Sequence, residues 1–395
     1  MNALAPEGLR TAAETPPPLR ILTFLHSFEP GGVERVALRL HEAWRAQGRD
    51  ARLVMGRTAG AMKREWPDLN KGGLGYEILG SERIPSSGWE TLWMIIHLPR
   101  AIRRIRPDVL FCAGNSYTIV AVMMRVLLGK ACPPVVAKIS NDLTRSDLPA
   151  PARPFYRLWL RIQGRMLDRL VGMAPPMRAE IGTLMGADNA RIAVIDDPSL
   201  AEADIQRLAA ARAEARAAPQ APGRRFIAIG RLAAQKNFGL LIDAFARMAG
   251  EHDRLAIIGE GAARRALEAQ IERLGLADKV RLPGHVSPLD AELAAADALV
   301  LSSEYEGVPA VVAEALAAGL PVVATRCSVS MEDMLGGGRF GLLVPVGDAA
   351  ALAGAMSDIA KLKFDETAAR DQSRRFTVEI ASHRYLALME DLARA

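Results

Sequence analysis

Residues 299–325 read LVLSSEYEGVPAVVAEALAAGLPVVAT. An apolar run, Ala298 to Leu301, gives way to a polar turn holding Glu304, Glu306 and Gly307. A helical pattern then begins near Pro309, carries Glu314 on its second turn and stops at Gly319, and a second apolar run, Pro321 to Thr325, follows at once. Strand, polar turn, helix and strand in this order predict a βαβ unit, whose crossover is right-handed in nearly every known case. In open α/β sheets ligands bind outside the carboxyl ends of the strands, where Glu306 and Gly307 fall. A helix that starts there turns its free N–H groups and the positive end of its dipole toward the ligand, which favours an anion.

The same alternation extends in both directions. Downstream, GLLVP (Gly341 to Pro345) and a helix from about Asp348 close the pattern. Upstream, FIAIG ends at Gly230 and is followed by RLAAQKN, with Asn237 placed as N-cap of a helix from Phe238. LAIIG ends at Gly259, and KVRLPG leads to His285. Before Asp196-Asp197-Pro198 the chain offers strands at Arg20 to Leu25, Ala51 to Met55, Asp108 to Ala113, Pro134 to Ile139, Arg169 to Met173 and Ile192 to Ile195. The first ends at His26 and meets Gly31-Gly32 before an amphipathic helix from about Val33 to Gln47, and a further helical pattern covers Phe155 to Leu167. The expectation is an α/β fold of two Rossmann-like, doubly wound domains with a ligand cleft between them. Residues 1–19 are expected to be a disordered lead-in, 20–198 the first domain and 199–222 an Ala/Arg/Glu-rich helical connector. Residues 223–375 form the second domain, and the last amphipathic helix, within 376–395, is long enough to pack back across both.

Composition narrows the function. Half of the 395 residues are apolar and 24% charged, as in a soluble globular protein. Cys112, Cys132 and Cys327, odd in number and far apart, suit reduced thiols in the cytoplasm better than a disulfide framework or zinc site. No apolar run reaches the ~18 residues of a membrane span. Charge is unevenly placed: residues 1–200 hold 27 Lys and Arg against 19 Asp and Glu, and the remainder 23 against 26. The densest basic segment, Trp89 to Pro107 (WETLWMIIHLPRAIRRIRP), mixes apolar residues and arginines at roughly helical spacing. That pattern fits an interfacial helix on an anionic membrane, and equally a packed helix with a solvated arginine face. Nucleic acid is not expected, because no reader motif accompanies the charge. A nicotinamide-dependent dehydrogenase is not expected, because no strand is followed by G-x-G-x-x-G.

Arg231 and Lys236 follow a strand end near the rim that carries Glu306. Two fixed cations beside a helix N-terminus suit a diphosphate. Glu314, farther along its helix, suits the hydrogen bonds of a ribose diol. Glu304-x-Glu306 is a weak carboxylate pair for a metal, without an aspartate-x-aspartate motif, and no metal is expected because the two cations serve in its place. His26 and His285 are candidates for a catalytic role, with a structural or rim role the stronger expectation.

GRLAAQKNF, IIGEG, VRLPGHV and above all EGVPAVVAEALAAGLPVVAT resemble the C-terminal motifs of the large retaining glycosyltransferase family with the two-Rossmann (GT-B) architecture, often called family 4. Glu306-x7-Glu314 matches its paired-glutamate motif, and HSFEPGGVER resembles its N-terminal glycine loop. The resemblance covers residues 20–390 and is tighter in the second half. It implies that Arg231 and Lys236 hold the donor's diphosphate and offset the charge that grows as it leaves. Glu314 would bind ribose and Glu306 the donor sugar, with Gly307, Val308 and Ala310 presenting backbone around sugar and phosphate and Gly31-Gly32 reaching the phosphate from the other domain. The activity implied is transfer of a sugar from a nucleotide-diphosphate sugar to a hydroxyl with retention, without metal or other cofactor. The basic first domain points to a lipid-linked saccharide acceptor and a peripheral place on the inner face of a membrane. Where the family often carries a histidine this chain has Asn141 or Asp142, which with His26 are the acceptor-side candidates, and Pro309 removes one backbone donor from the cradle. A GT-B epimerase or phosphorylase, or a non-catalytic sugar-nucleotide-binding subunit, remains open on sequence alone.

Overall fold

The computed structural model describes residues 18–29, 31–64, 76–80, 88–140, 143–144, 149–219 and 221–394. One parallel sheet contains β1 (Arg20–Leu25), β2 (Asp50–Met55), β3 (Tyr76–Ile78), β4 (Val109–Cys112), β5 (Val135–Ile139), β6 (Arg169–Gly172) and β7 (Ile192–Val194), in the order β3-β2-β1-β4-β5-β6-β7. A second contains β8 (Arg225–Ile229), β9 (Arg254–Ile258), β10 (Val280–Gly284), β11 (Ala298–Leu301), β12 (Val322–Thr325) and β13 (Gly341–Val344), in the order β10-β9-β8-β11-β12-β13. Each order steps outward from its first strand and then jumps back across it, so the reversal falls between β1 and β4 and between β8 and β11. Crevices open at such reversals. The expected pair of doubly wound α/β domains is what the chain forms.

Both faces of each sheet are covered by helices, so a central strand is buried and mostly apolar along its length instead of alternating. Ile21, Leu22, Phe24 and Leu25 of β1 are all fully buried. The edge strand β3 escaped the sequence reading because its three residues are only half-buried and carry no apolar run.

The stretch expected to be a connector is helix 202–217, and it is built into the second domain. Leu200, Ile205 and Leu208 belong to the core under β11 and β12, and Arg212 donates to the Ala294 carbonyl at 2.7 Å. The last helix, 378–394, returns to the first domain, where Ala381, Tyr385, Leu386 and Met389 join its core and Tyr385 packs edge-on against Phe111. The chain therefore crosses between domains twice, and the crossings are tied together: Leu200 N–H donates to Phe376 O at 3.0 Å and Val378 N–H to Leu200 O at 2.8 Å. In the segment Trp89 to Pro107, helix 90–105 turns Trp93, Met94, Leu98 and Ile102 into the core and leaves Leu92, Ile96 and Arg103 outside. Arg104 is paired with Glu77. Among the described residues no helix is long and apolar enough to cross a membrane.

Candidate functional site

The crevice of the second sheet lies between the loops that leave β8 and β11. After β8 the chain makes one tight turn, Ala234–Lys236, and Asn237 takes the left-handed conformation (φ 44°) while its side chain accepts from Leu240 N–H at 3.2 Å. That cap starts helix 238–248 and fixes the direction of Lys236. The β11 loop is fastened to this turn along its length. Glu304 N–H donates to Gln235 O at 2.8 Å, Gln235 Nε2 to Tyr305 O at 2.8 Å, and Ser302 Oγ to Lys236 O at 2.8 Å, while Asn237 Nδ2 reaches the Glu304 carboxylate.

At the centre of this seam Lys236 Nζ lies 2.5 Å from Glu306 Oε1, and Ser303 Oγ donates to the same oxygen at 2.7 Å. The side chains are 19% and 11% exposed, so the pair is largely shielded yet open on one side. Arg231, just beyond the end of β8, is exposed, and its side chain has no hydrogen-bond or ion-pair partner among the described residues. A paired lysine and an uncommitted arginine thus share one rim. Below them the chain crowds close: a Cβ on Gly259 (φ 143°) would lie 1.9 Å from Gly230 O, a place only glycine fills.

Helix 310–317 begins at the predicted point, with Pro309 as its N-cap residue. Gly307 O accepts from Ser328 Oγ at 2.5 Å and Ser330 Oγ at 2.7 Å, which fixes the turn before the helix. Val308 is half-buried and packs against the cores of both domains, and Ala310 is half-buried at the helix start. Glu314 is half-buried on the next turn. Burial raises its carboxyl above the ordinary range, opposed by Arg39 and Arg35 of helix 32–46 in the first domain. The glutamate therefore faces the other domain across the cleft.

In the first domain, Gly31 caps helix 32–46 and Gly32 opens it, with no atom within 4 Å of where a Gly32 Cβ would stand. The Glu34 carboxylate folds back over Gly31, where a Cβ would lie 2.1 Å from Oε2, and Tyr117 Oη donates to Glu34 Oε1 at 2.7 Å. The His26 ring stacks on Tyr117 at 4.6 Å, its Nε2 is buried without a hydrogen-bond partner, and burial holds its pKa below the ordinary value, against the pull of Glu90. Asn141 and Asp142 lie outside the described residues. Their neighbour Ser140 is held by Asn115, whose Oδ1 accepts from Ser140 N–H at 2.7 Å. His285 is exposed just beyond β10, and the structure brings no partner to it among the described residues. Nor, among those residues, do three His, Cys, Asp or Glu gather as metal ligands.

Sequence reasoning passed over Glu34, Tyr117, Arg35 and Arg39. The two arginines stand one turn apart on the helix that the glycine pair opens, which is a legible signal. The Tyr117–Glu34 contact spans 83 residues and is not.

The domains meet at Gly307. A Cβ there would lie 2.3 Å from Ser140 O at the end of β5, closer than any real side chain tolerates. Gly307→Ala is expected to push the domains apart locally and lower turnover by roughly tenfold or more, because small misplacements at a reacting site are costly. The nucleotide binding expected of the second domain should survive. Wild-type turnover in Gly307→Ala would mean that this contact is not part of the working conformation.

A family model described as glycosyl transferases group 1 matches residues 223–361, and one described as a glycosyl transferase 4-like domain matches residues 31–197. The lipopolysaccharide core biosynthesis glycosyltransferase LpsD of Rhizobium meliloti (strain 1021) is 28% identical over 305 residues, 76% of this chain and 77% of LpsD. The N-acetylgalactosamine-N,N'-diacetylbacillosaminyl-diphospho-undecaprenol 4-alpha-N-acetylgalactosaminyltransferase of Campylobacter jejuni is 36% identical over 120 residues, 30% of this chain and 33% of that one. Across the first curated relatives the match spans between 19% and 77% of the relative's length. Anabaena Alr3699/HepE, solved in complex with UDP and glucose, has a TM-score of 0.75 at 18% identity, covering 94% of this chain and 100% of that one. At that identity the likeness is one of fold.

Proposed function

Because the chain belongs to the glycosyl transferases group 1 family of GT-B architecture, we propose that it transfers a sugar from a UDP- or GDP-linked donor to a hydroxyl of a lipid-linked saccharide, in the building of a surface polysaccharide or glycoconjugate. The observation that carries this reading is the Lys236–Glu306 pair beside the uncommitted Arg231, at the reversal of strand order between β8 and β11. The donor diphosphate lies along Arg231 and Lys236, with Gly307, Val308 and Ala310 at the helix start and Gly31 and Gly32 opposite. Glu314 accepts from the ribose diol and Glu306 contacts the sugar.

The reaction retains configuration at the anomeric carbon. An acceptor hydroxyl oxygen forms its bond to that carbon on the face from which the β-phosphate departs, and the hydroxyl proton passes to the departing phosphate oxygen. Charge accumulates on the diphosphate, where the two cations already stand, and a preorganised charge needs no reorganisation during the reaction. No metal is needed for this. Closure at Gly307 keeps water from hydrolysing the donor. His26, Asn141 and Asp142 face the acceptor.

The relatives support the acceptor class: one acts in lipopolysaccharide core biosynthesis, and another is described as acting on a saccharide carried by diphospho-undecaprenol. Thermal unfolding with UDP, GDP and ADP, in EDTA and then in magnesium, is the test. A nucleotide at about 100 times its Kd stabilises the native state by roughly 2.7 kcal/mol. The expected result is a shift with UDP or GDP in EDTA that disappears in Glu314→Ala. No shift with any of the three would remove the donor site from this crevice.

A further inference from the structure

We propose that the outer helical layer of the first domain is a docking surface for an anionic lipid bilayer, and that helix 153–166 is the element that enters the headgroup region. The proposal deepens the lipid-linked acceptor reading and rests on it for its biological sense. Helices 90–105, 118–128 and 153–166 lead into β4, β5 and β6 in turn. Right-handed crossovers put all three on one face of the sheet, where the first packs on the second and the second on the third. The opposite face is taken by helices 32–46 and 378–394.

This layer is finished unlike a water-facing one. Phe155 is 76% exposed and Leu158 60%, and with Ile162 they form a single stripe at helical spacing. Leu92 and Ile96 on the first helix, and Val126 and Leu127 on the second, are exposed as well. Between residues 18 and 199 every exposed large apolar side chain among the described residues lies on these three helices or, as Trp89, next to one. No described element covers them.

Charge selects the occupant. The three helices together contain eight arginines and a single acid, Glu90, and two of the arginines, Arg104 and Arg125, are paired with Glu77 and Asp168. On helix 153–166 the arginines recur at 153, 157, 161 and 165, beside the apolar stripe, and the helix itself has no Asp or Glu. A solvated helix ordinarily alternates its signs, whereas an apolar stripe flanked by cations alone matches the acyl and phosphate layers of an anionic membrane. Phe155, Leu158 and Leu92 stand in the first turns of their helices. Helices that follow parallel strands start at the carboxyl ends of those strands, the end where the crevice opens, so docking would bring a membrane-borne acceptor to the cleft.

The experiment is flotation of the full chain with vesicles of phosphatidylcholine containing about 30% phosphatidylglycerol, against phosphatidylcholine alone, at low and high salt. The wild type should float with the anionic vesicles only, and high salt should weaken the association. Phe155→Ser with Leu158→Ser, and separately Arg157→Glu with Arg165→Glu, should each reduce partitioning by roughly tenfold or more. All four positions are exposed, and the unfolding shift induced by UDP or GDP, whichever stabilises the wild type, serves as the folding control for both variants. Absence of flotation, or flotation unchanged in both variants, overturns the proposal. So does a wild-type dimer, seen by sedimentation, that the apolar variant dissociates, because the occupant would then be a second copy. A chain that shifts with UDP or GDP but does not float keeps its donor site and loses the docking surface. One that floats but shifts with no nucleotide loses the donor site instead.

Discussion

Lys236→Met is expected to lower kcat for sugar transfer by about 10²- to 10³-fold, with a much smaller change in donor KM. The lysine is held from three directions. Its carbonyl accepts from Ser302 Oγ, its turn is capped by Asn237, and its ammonium lies 2.5 Å from Glu306 Oε1. A cation fixed this way before substrate arrives acts chiefly when charge grows on the departing diphosphate, which is why the loss should appear in kcat. Arg231 remains in the variant and supplies ground-state attraction. Methionine also leaves Glu306, 11% exposed, with only the Ser303 hydroxyl as partner. Some loss therefore belongs to a repelled phosphate, and Glu306→Gln combined with Lys236→Met separates the two. Residues in contact do not add, so the double variant should lose less than the product of the single losses. The measurement is steady-state release of nucleotide at saturating donor. Retention of a third or more of the wild-type kcat would place Lys236 away from the leaving group.

Much of this site was legible because its parts are local. Strand, polar turn and helix at 298–317 follow from one apolar run, one cluster of Glu and Gly, and one proline, and the structure has them at those residues. The helix at 202–217 was legible as a helix but not in its role. Its buried stripe is Ile205, Leu208 and Arg212, and an arginine spending its donors on the carbonyls of 294 and 296 does not read as a core position. The last helix could be seen to be amphipathic, yet nothing in a period of 3.6 residues says which domain receives its apolar face. Helix 153–166 taught the opposite lesson. Its sequence shows a helical pattern from Phe155 to Leu167 and no more, and only the structure reveals that Phe155 and Leu158 point outward. The contacts that join the domains, Glu314 facing Arg39 and Gly307 against Ser140, depend on a closure that no local pattern encodes.

Lys138→Met is expected to destabilise the chain by roughly 3–5 kcal/mol, the cost typical of stranding one member of a buried ion pair. Lys138 lies on β5 in the interior of the first sheet and pairs with Asp197, and the two side chains are 3% and 9% exposed. Asp197 opens the first crossing between domains. Its neighbour Asp196 accepts from Arg375 at 3.0 Å, and Arg375 also reaches Asp333 of the second domain at 2.8 Å. The pair therefore anchors the crossing to the first sheet, while Arg375 anchors it to the second crossing and the second domain. Methionine keeps most of the lysine's volume, so packing loss is small and the effect isolates the stranded carboxylate. At about 2–4 °C per kcal/mol for domains of this size, the fall in Tm should be near 10 °C. Replacing both partners, Lys138→Met with Asp197→Leu, should recover most of it, because an apolar pair of similar volume often matches a buried salt bridge in stability. The nucleotide that stabilises the wild type should still raise the Tm of either variant, since Lys138 and Asp197 pair with each other and not with Lys236 or Glu306. A single variant that unfolds within about a degree of wild type would mean that water reaches Asp197 once the lysine is gone, and that Arg375 and the backbone hydrogen bonds of Leu200 suffice to hold the crossing.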